Sequence, residues 1–309
     1  MTPTRGPRRR ILVAGLLLLV PAFALAALIG FALNRPPLDL ARSADTSRLV
    51  LAEDGSVLRA YLSGDQKWRL QTRIADVPKT YLDALIAFED RRFWQHPGVD
   101  PLALLRAGIQ AVTTRGRAAG ASTLTMQVAR LLRSGGQGRS GEQRGLLGKL
   151  GQIADAIALE RRLSKSEILE IYLTLAPLGA NIEGVRAASL IYLAKAPAGL
   201  EPHESALLIA IAQSPARRRP DRHAEAARIG RDRVLARAIA AGAIEPAWSR
   251  RIGEAITVAG ATPQRLAAQF ADRLVAQPAA GHTVTRVSTR AESILGKLPS
   301  PSRLRDSQI

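Results

Sequence analysis

Residues 11 to 33 carry no charge, and that stretch constrains the chain more than any other. From Ile11 through Leu33 there are 23 consecutive residues drawn only from Leu, Ala, Val, Ile, Gly, Phe and one Pro. At 1.5 Å per residue a helix of that length reaches ~35 Å, enough to cross about 30 Å of hydrocarbon. The run is therefore expected to be a transmembrane helix, with the rest of the chain parted by a bilayer. Arg5, Arg8, Arg9 and Arg10 precede it, so the positive-inside rule places residues 1–10 in the cytoplasm and everything after Asn34 outside, facing the periplasm. Ala24-Leu25-Ala26 offers small residues for cleavage, but an apolar core this long favours an uncleaved anchor over a signal peptide.

Sidedness then decides what the charge means. The formal net charge is +18, with six lysines among 44 basic residues and no cysteine anywhere in the 309. An arginine-rich surface calls for anionic partners. Outside the cytoplasm these are lipid head groups and pyrophosphates, so membrane lipids are expected partners and nucleic acid is not. Without thiols there are no disulfides and no thiolate chemistry, and four scattered histidines (His96, His203, His223, His282) do not suggest a histidine metal site.

Beyond the span, residues 34–47 with Pro36-Pro37 read as a linker. Alternating apolar residues on both sides of Asp54-Gly55 predict a β-hairpin, from Arg48 to Leu62. From Val77 to about Ile256 the pattern is helical almost throughout. Helix starts are marked by Asp100-Pro101, by Ser122, and by the capping box Ser164-x-x-Glu167. The stretches Thr113–Gly120 and Ser134–Gly148 are polar and glycine-rich and read as loops. A strand is expected at Thr283–Val287, within a polar tail. The expectation is one mainly α domain over residues 48–258, with a small β appendage, an anchor at 11–33 and a tail at 259–309.

Within the helical region a helix is predicted from Lys79 to about Gln95. On it Glu89 shares a face with Leu82, Leu85, Ile86 and Phe93. Burying an ionised carboxylate costs several kcal/mol, so Glu89 is expected to be buried with a raised pKa, as a general acid or base working near neutrality requires. A structural bridge to Arg91, Arg92 or Arg106 is the plainer alternative. Asp90 lies about 100° around the helix from Glu89 and cannot serve the same atom; it is expected to pair with an arginine or with backbone at the helix end. Gly120-Ala121-Ser122-Thr123 opens a helix whose apolar face is Leu124, Val128, Leu131 and Leu132. Its free N–H groups and hydroxyls suit an anion, with Arg130 two turns on; an ordinary serine cap is the alternative. Lys149 and Lys165 lie near helix boundaries, where a lysine can meet phosphate oxygens. Glu160 is a second candidate buried acid, with a pairing to Arg161 or Arg162 expected.

Taken in order, Glu89-Asp-Arg-Arg92-Phe93-Trp-Gln-His96-Pro-Gly98, Gly120-Ala-Ser-Thr-Leu-Thr-Met-Gln127, Lys149-x-x-Gln152, Leu163-Ser-Lys165 through Tyr172-Leu173, and Asn181-x-x-Gly184 resemble the five motifs of family 51 glycosyltransferases. These are the peptidoglycan polymerases of class A penicillin-binding proteins. The resemblance runs from about residue 48 to 240. It implies a lysozyme-like fold with a membrane-embedded jaw, in the bacterial inner membrane, that polymerises lipid II into β-1,4 glycan strands and releases undecaprenyl pyrophosphate. By the same resemblance Glu89 is the general base of an inverting transfer. Arg106, Ser122, Thr123, Gln127, Arg130 and Lys149 fall on diphosphate-holding positions, and Asp90, Arg92, Phe93, His96 and Gln152 complete the substrate-binding set. Some members use a divalent ion, so Mg²⁺ or Mn²⁺ is left open and no residue is assigned as a metal ligand.

Three departures stand out. The family's second glutamate is Gln152 here, its paired glutamines are Met126-Gln127, and its Tyr-Leu-Asn is Tyr172-Leu173-Thr174. No Ser-x-x-Lys or Lys-Thr-Gly follows, so peptide cross-linking is left to a separate transpeptidase, and residues 259–309 read as the remnant of a linker. Two alternatives remain: a weakly active or inactive lipid II-binding scaffold, suggested by Gln152, and a lysozyme-like hydrolase or lytic transglycosylase with Glu89 as its acid.

Overall fold

The structure is a computed structural model, described for residues 30, 35–52, 57–114, 122–134, 146–258 and 285–287. The expected anchor at 11–33 lies outside these residues but for Gly30. No helix among the described residues is long and apolar enough to cross a membrane. Most of the expected loops at 113–120 and 134–148, the Asp54-Gly55 turn and nearly all of the tail also lie outside them.

In chain order, a single turn α1 (Ala41–Ala44) leads into strands β1 (Arg48–Ala52) and β2 (Val57–Tyr61), which pair antiparallel as the flanking alternation predicts. β3 (Trp68–Arg69) follows, then α2 (Lys79–Glu89), α3 (Pro101–Thr114), α4 (Leu124–Ser134), α5 (Leu146–Glu160) and α6 (Lys165–Leu175). After these come β4 (Ile182–Glu183), α7 (Val185–Ala188), α8 (Pro202–Gln213), α9 (Ala224–Ala240) and β5 (Thr285–Val287). The mainly helical expectation holds. β5, inside the predicted Thr283–Val287 strand, joins β1 in parallel, giving the order β2-β1-β5.

These elements fall into two compact units. The first takes the described residues of 1–39 and 96–164, hence α3, α4 and α5. Its core is Val99, Met126 and Ala156, with Leu104 and Ile153 packed against them. The predicted apolar face of α4 is buried throughout, Leu124, Val128, Leu131 and Leu132 included. Asp155 on α5 binds two arginines at once. Arg35 reaches it with Nε and Nη2 at 2.8 and 2.7 Å, and Arg133 does the same at 2.8 and 2.7 Å. Arg133 also donates to Pro36 O, so the segment after residue 34 is tied to α4 and α5.

The second unit takes the described residues of 40–95 and 165–309. Its centre is α8, buried from Ser205 to Ile211, against which α2 sets Tyr81, Leu85 and Phe88, and α9 sets Val234, Leu235 and Ala238. A helix apolar on all sides can only be a central one. β3 and β4 form a second, parallel pair that the sequence did not announce. It is held by Arg69, which is fully buried and donates to Glu183 and Asp65 at 2.6 Å each. Burial alone would raise the Asp65 carboxyl, but the hydrogen bonds from Ser63 and Arg69 and the charges of Arg69 and Arg42 hold it below its ordinary value. Gly184, at φ +83°, meets Thr174 O so closely that a Cβ would lie 2.5 Å from it. Thr174 itself is buried and accepts from Thr72 N at 3.1 Å, so this departure from the motif has a structural use.

Candidate active site

Glu89 is the last residue of α2, because the helix ends six residues earlier than the periodicity predicts. Asp90 takes φ −157° and ψ 77°, and its N–H still reaches Ile86 O. Two tight turns follow, closed by Phe93 N to Asp90 O and Gln95 N to Arg92 O. His96 precedes Pro97, a position that disfavours helix, and the turns let Phe93 bury fully, edge-on to Trp94 at 5.0 Å. Phe93 is thus buried but not on a helical face shared with Glu89.

The deep burial expected of Glu89 is also corrected: the residue is half-buried, at the end of the helix rather than within its apolar face. Gln213 Nε2 donates to Glu89 Oε1 at 3.0 Å. The phenol of Tyr81, buried on the same helix, is held well above its ordinary range by burial and by the charge of Glu89. Asp90 is buried at the cap position and Arg92 is half-buried. Lys165, the first residue of α6, places Nζ 4.5 Å over the Phe93 ring, a cation–π contact. Among the sequence candidates, Glu89, Asp90, Arg92 and Phe93 belong to this second unit.

The first unit holds the others. His96 is buried, and Asp100 caps α3, accepting from Ala103 N at 2.9 Å. Gly98, at φ +89°, lies so near Ala156 O that a Cβ would come within 2.7 Å. Its carbonyl accepts from Thr123 Oγ1 at 2.6 Å. Thr123, not Ser122 as expected, is the residue that caps α4: its Oγ1 accepts from Met126 N at 3.1 Å. Ser122, one residue before, is free of that duty and its Oγ accepts from Lys149 Nζ at 2.5 Å. Lys149 sits in the first turn of α5, which begins at Leu146, inside the stretch read as loop. A helix start carrying hydroxyls, with an ammonium drawn over it, is a place for an anion.

Gln127 and Arg130 are half-buried on α4, and Gln152 is half-buried on α5 one turn after Lys149. Arg106 is exposed on α3, its Nε donating to Leu102 O at 3.3 Å. Beside it Leu102, Leu105 and Ile109 are 54%, 60% and 56% exposed, an uncovered apolar stripe. Glu160 accepts from the buried Thr125 hydroxyl at 2.6 Å, while Arg161 and Arg162 are exposed. Ser122, Thr123 and Lys149 are thus brought together. Gln213 was not anticipated; its one signal was a polar residue closing an apolar helix just before Ser214-Pro215. Among the described residues no three His, Asp or Glu side chains converge as metal ligands would.

The transglycosylase family matches residues 54–239. Penicillin-binding protein 1C of Escherichia coli is 41% identical over 66% of this chain and 25% of its own length. Penicillin-binding protein 1A of Haemophilus influenzae is 38% identical over 43% of this chain and 15% of its own. The chain therefore matches about a quarter or less of these relatives. The crystal structure of penicillin-binding protein 1A from Haemophilus influenzae covers 74% of this chain and 24% of that one, at 17% identity and a TM-score of 0.37.

Proposed function

The chain belongs to the transglycosylase family, and from that premise we propose that it is a peptidoglycan glycosyltransferase, polymerising lipid II into β-1,4 glycan strands with release of undecaprenyl pyrophosphate. The observation that carries the reading is the anion seat at the head of α4, where Lys149 Nζ meets Ser122 Oγ at 2.5 Å. A polymerase must hold a departing diphosphate, whereas a hydrolase of finished glycan has no such group to hold. Lys149, Arg130 and Arg106 supply positive charge to the leaving group, and Ser122 and Gln127 supply hydrogen bonds, while Thr123, whose hydroxyl is engaged by Gly98 O and Met126 N, holds the helix start in place. Glu89 takes the proton from the acceptor 4-hydroxyl as that oxygen attacks the donor anomeric carbon. The C–O bond to the diphosphate breaks as the new bond forms on the opposite face, with inversion. Asp90, Arg92, Phe93 and His96 are proposed as further substrate-binding residues.

The donor set does not fit a resident Mg²⁺ or Mn²⁺. The relevant position is the amide of Gln152, one turn from the ammonium of Lys149, and hard cations want carboxylate oxygens. The same amide favours a second reading, a lipid II-binding scaffold of little activity.

The fold proposed is lysozyme-like, with the chain held in the bacterial inner membrane by residues 11–33 and its catalytic part periplasmic. The exposed Leu102, Leu105 and Ile109 stripe on α3 suits a lipid surface. The deciding comparison gives the protein lipid II in one vessel and purified sacculi in another. Glycan polymer from lipid II supports the polymerase; soluble muropeptides from sacculi would instead mark a hydrolase or lytic enzyme.

A further inference from the structure

Gln213 closes α8, and both ends of its amide are held. Arg218 Nη1 donates to Gln213 Oε1 at 3.1 Å and to Ala210 O at 3.0 Å. Gln213 Nε2 donates to Glu89 Oε1 at 3.0 Å. A guanidinium can only donate, so its contact fixes which end of the amide is the oxygen and turns the NH₂ toward the carboxylate. Space for this arrangement comes from α9. Gly230 faces the Arg218 stem, and a Cβ there would lie 2.9 Å from Arg218 Cδ.

We propose that Gln213, oriented by Arg218, is a positioning residue for Glu89, fixing the orientation in which the carboxylate at the end of α2 accepts the proton. The inference rests on Glu89 being the base of the proposed transfer. Glu89 and Gln213 each end a helix, and the amide N–H of Gln213 meets the Glu89 carboxylate there. Burial and then the like charge of Arg233 lower the pKa of Arg218. Other groups near this end of α2 include Tyr81, Asp90, Arg91 and Arg92 on its own segment, Arg91 Nε donating to Ala87 O at 3.4 Å, and Arg237 of α9, whose guanidinium lies 4.9 Å over the Phe88 ring.

The test is the pH dependence of lipid II polymerisation by the full chain as wild type, Gln213→Glu, Gln213→Leu and Glu89→Gln. Gln213→Glu keeps the partner of Arg218 but turns an acceptor toward Glu89. It should move the acid limb of the rate profile up by about one pH unit and lower kcat about tenfold on that limb, with KM for lipid II unchanged. Gln213→Leu removes the donor without adding charge and should move the limb the same way by less. Wild-type limbs in both variants, or a rise in KM alone, overturn the positioning role while Glu89→Gln is still inactive. Equal rates for wild type and Glu89→Gln remove the base itself, and the proposal with it.

Discussion

Lys149 Nζ and Ser122 Oγ meet at 2.5 Å, joining the first turn of α5 to the residue just ahead of the α4 cap. Because Thr123 satisfies the backbone of α4, neither Ser122 nor Lys149 is needed there as a cap. Lys149→Met should lower kcat/KM for lipid II about 10- to 100-fold, and Ser122→Ala only a few-fold, the scale of one charge-assisted and one neutral contact to a leaving group. Steady-state polymerisation rates check this; equal effects of the two changes would contradict it.

Gly98 supports the same seat from below. Its φ of +89° and its closeness to Ala156 O leave no place for a side chain. Gly98→Ala should cost about 1–3 kcal/mol of stability. It should also reduce activity by displacing the carbonyl that Thr123 binds, measurable as a lower unfolding midpoint together with a lower rate.

Asp155 is buried between two guanidiniums that remain partly solvated, at 20% and 23% exposure. Asp155→Asn leaves both short of their counter-ion and should cost about 2–4 kcal/mol in denaturant unfolding. A loss under half a kcal/mol would mean that the clamp does not hold the segment after residue 34.

His203 stacks on Trp248 at 5.8 Å, and burial lowers its pKa below the ordinary 6.5, outweighing the pull of Glu204 and Glu201. The unfolded chain therefore takes up this proton more readily than the folded one. Stability should fall as pH drops below about 6.5, and the loss is complete once pH passes the lower folded value. His203→Phe keeps the stacking and should flatten that part of the curve. Unfolding midpoints measured from neutral to mildly acid pH give the comparison.

How far the sequence reached depends on whether the signal was local. Helix starts at Asp100-Pro101 and Ser164, the hairpin flanking Asp54-Gly55 and the apolar face of α4 follow from short-range rules, and each has its counterpart. Glu89 was misplaced in depth because periodicity cannot see that Phe93 must turn inward, which ends α2 early. Ser122 was taken for the cap because serine and threonine have nearly the same preference there; only the hydrogen bonds distinguish them. Gln213 and Arg69 were invisible for another reason. Their partners, Glu89 and Glu183, lie 124 and 114 residues away, and no local pattern encodes such a pairing.

The most direct measurement incubates detergent-solubilised wild type and Glu89→Gln with labelled lipid II, with and without Mg²⁺, and looks for long glycan that a muramidase digests. The account predicts polymer from the wild type in both conditions and none from Glu89→Gln. No polymer from the wild type in either condition, or equal polymer from both proteins, would contradict it.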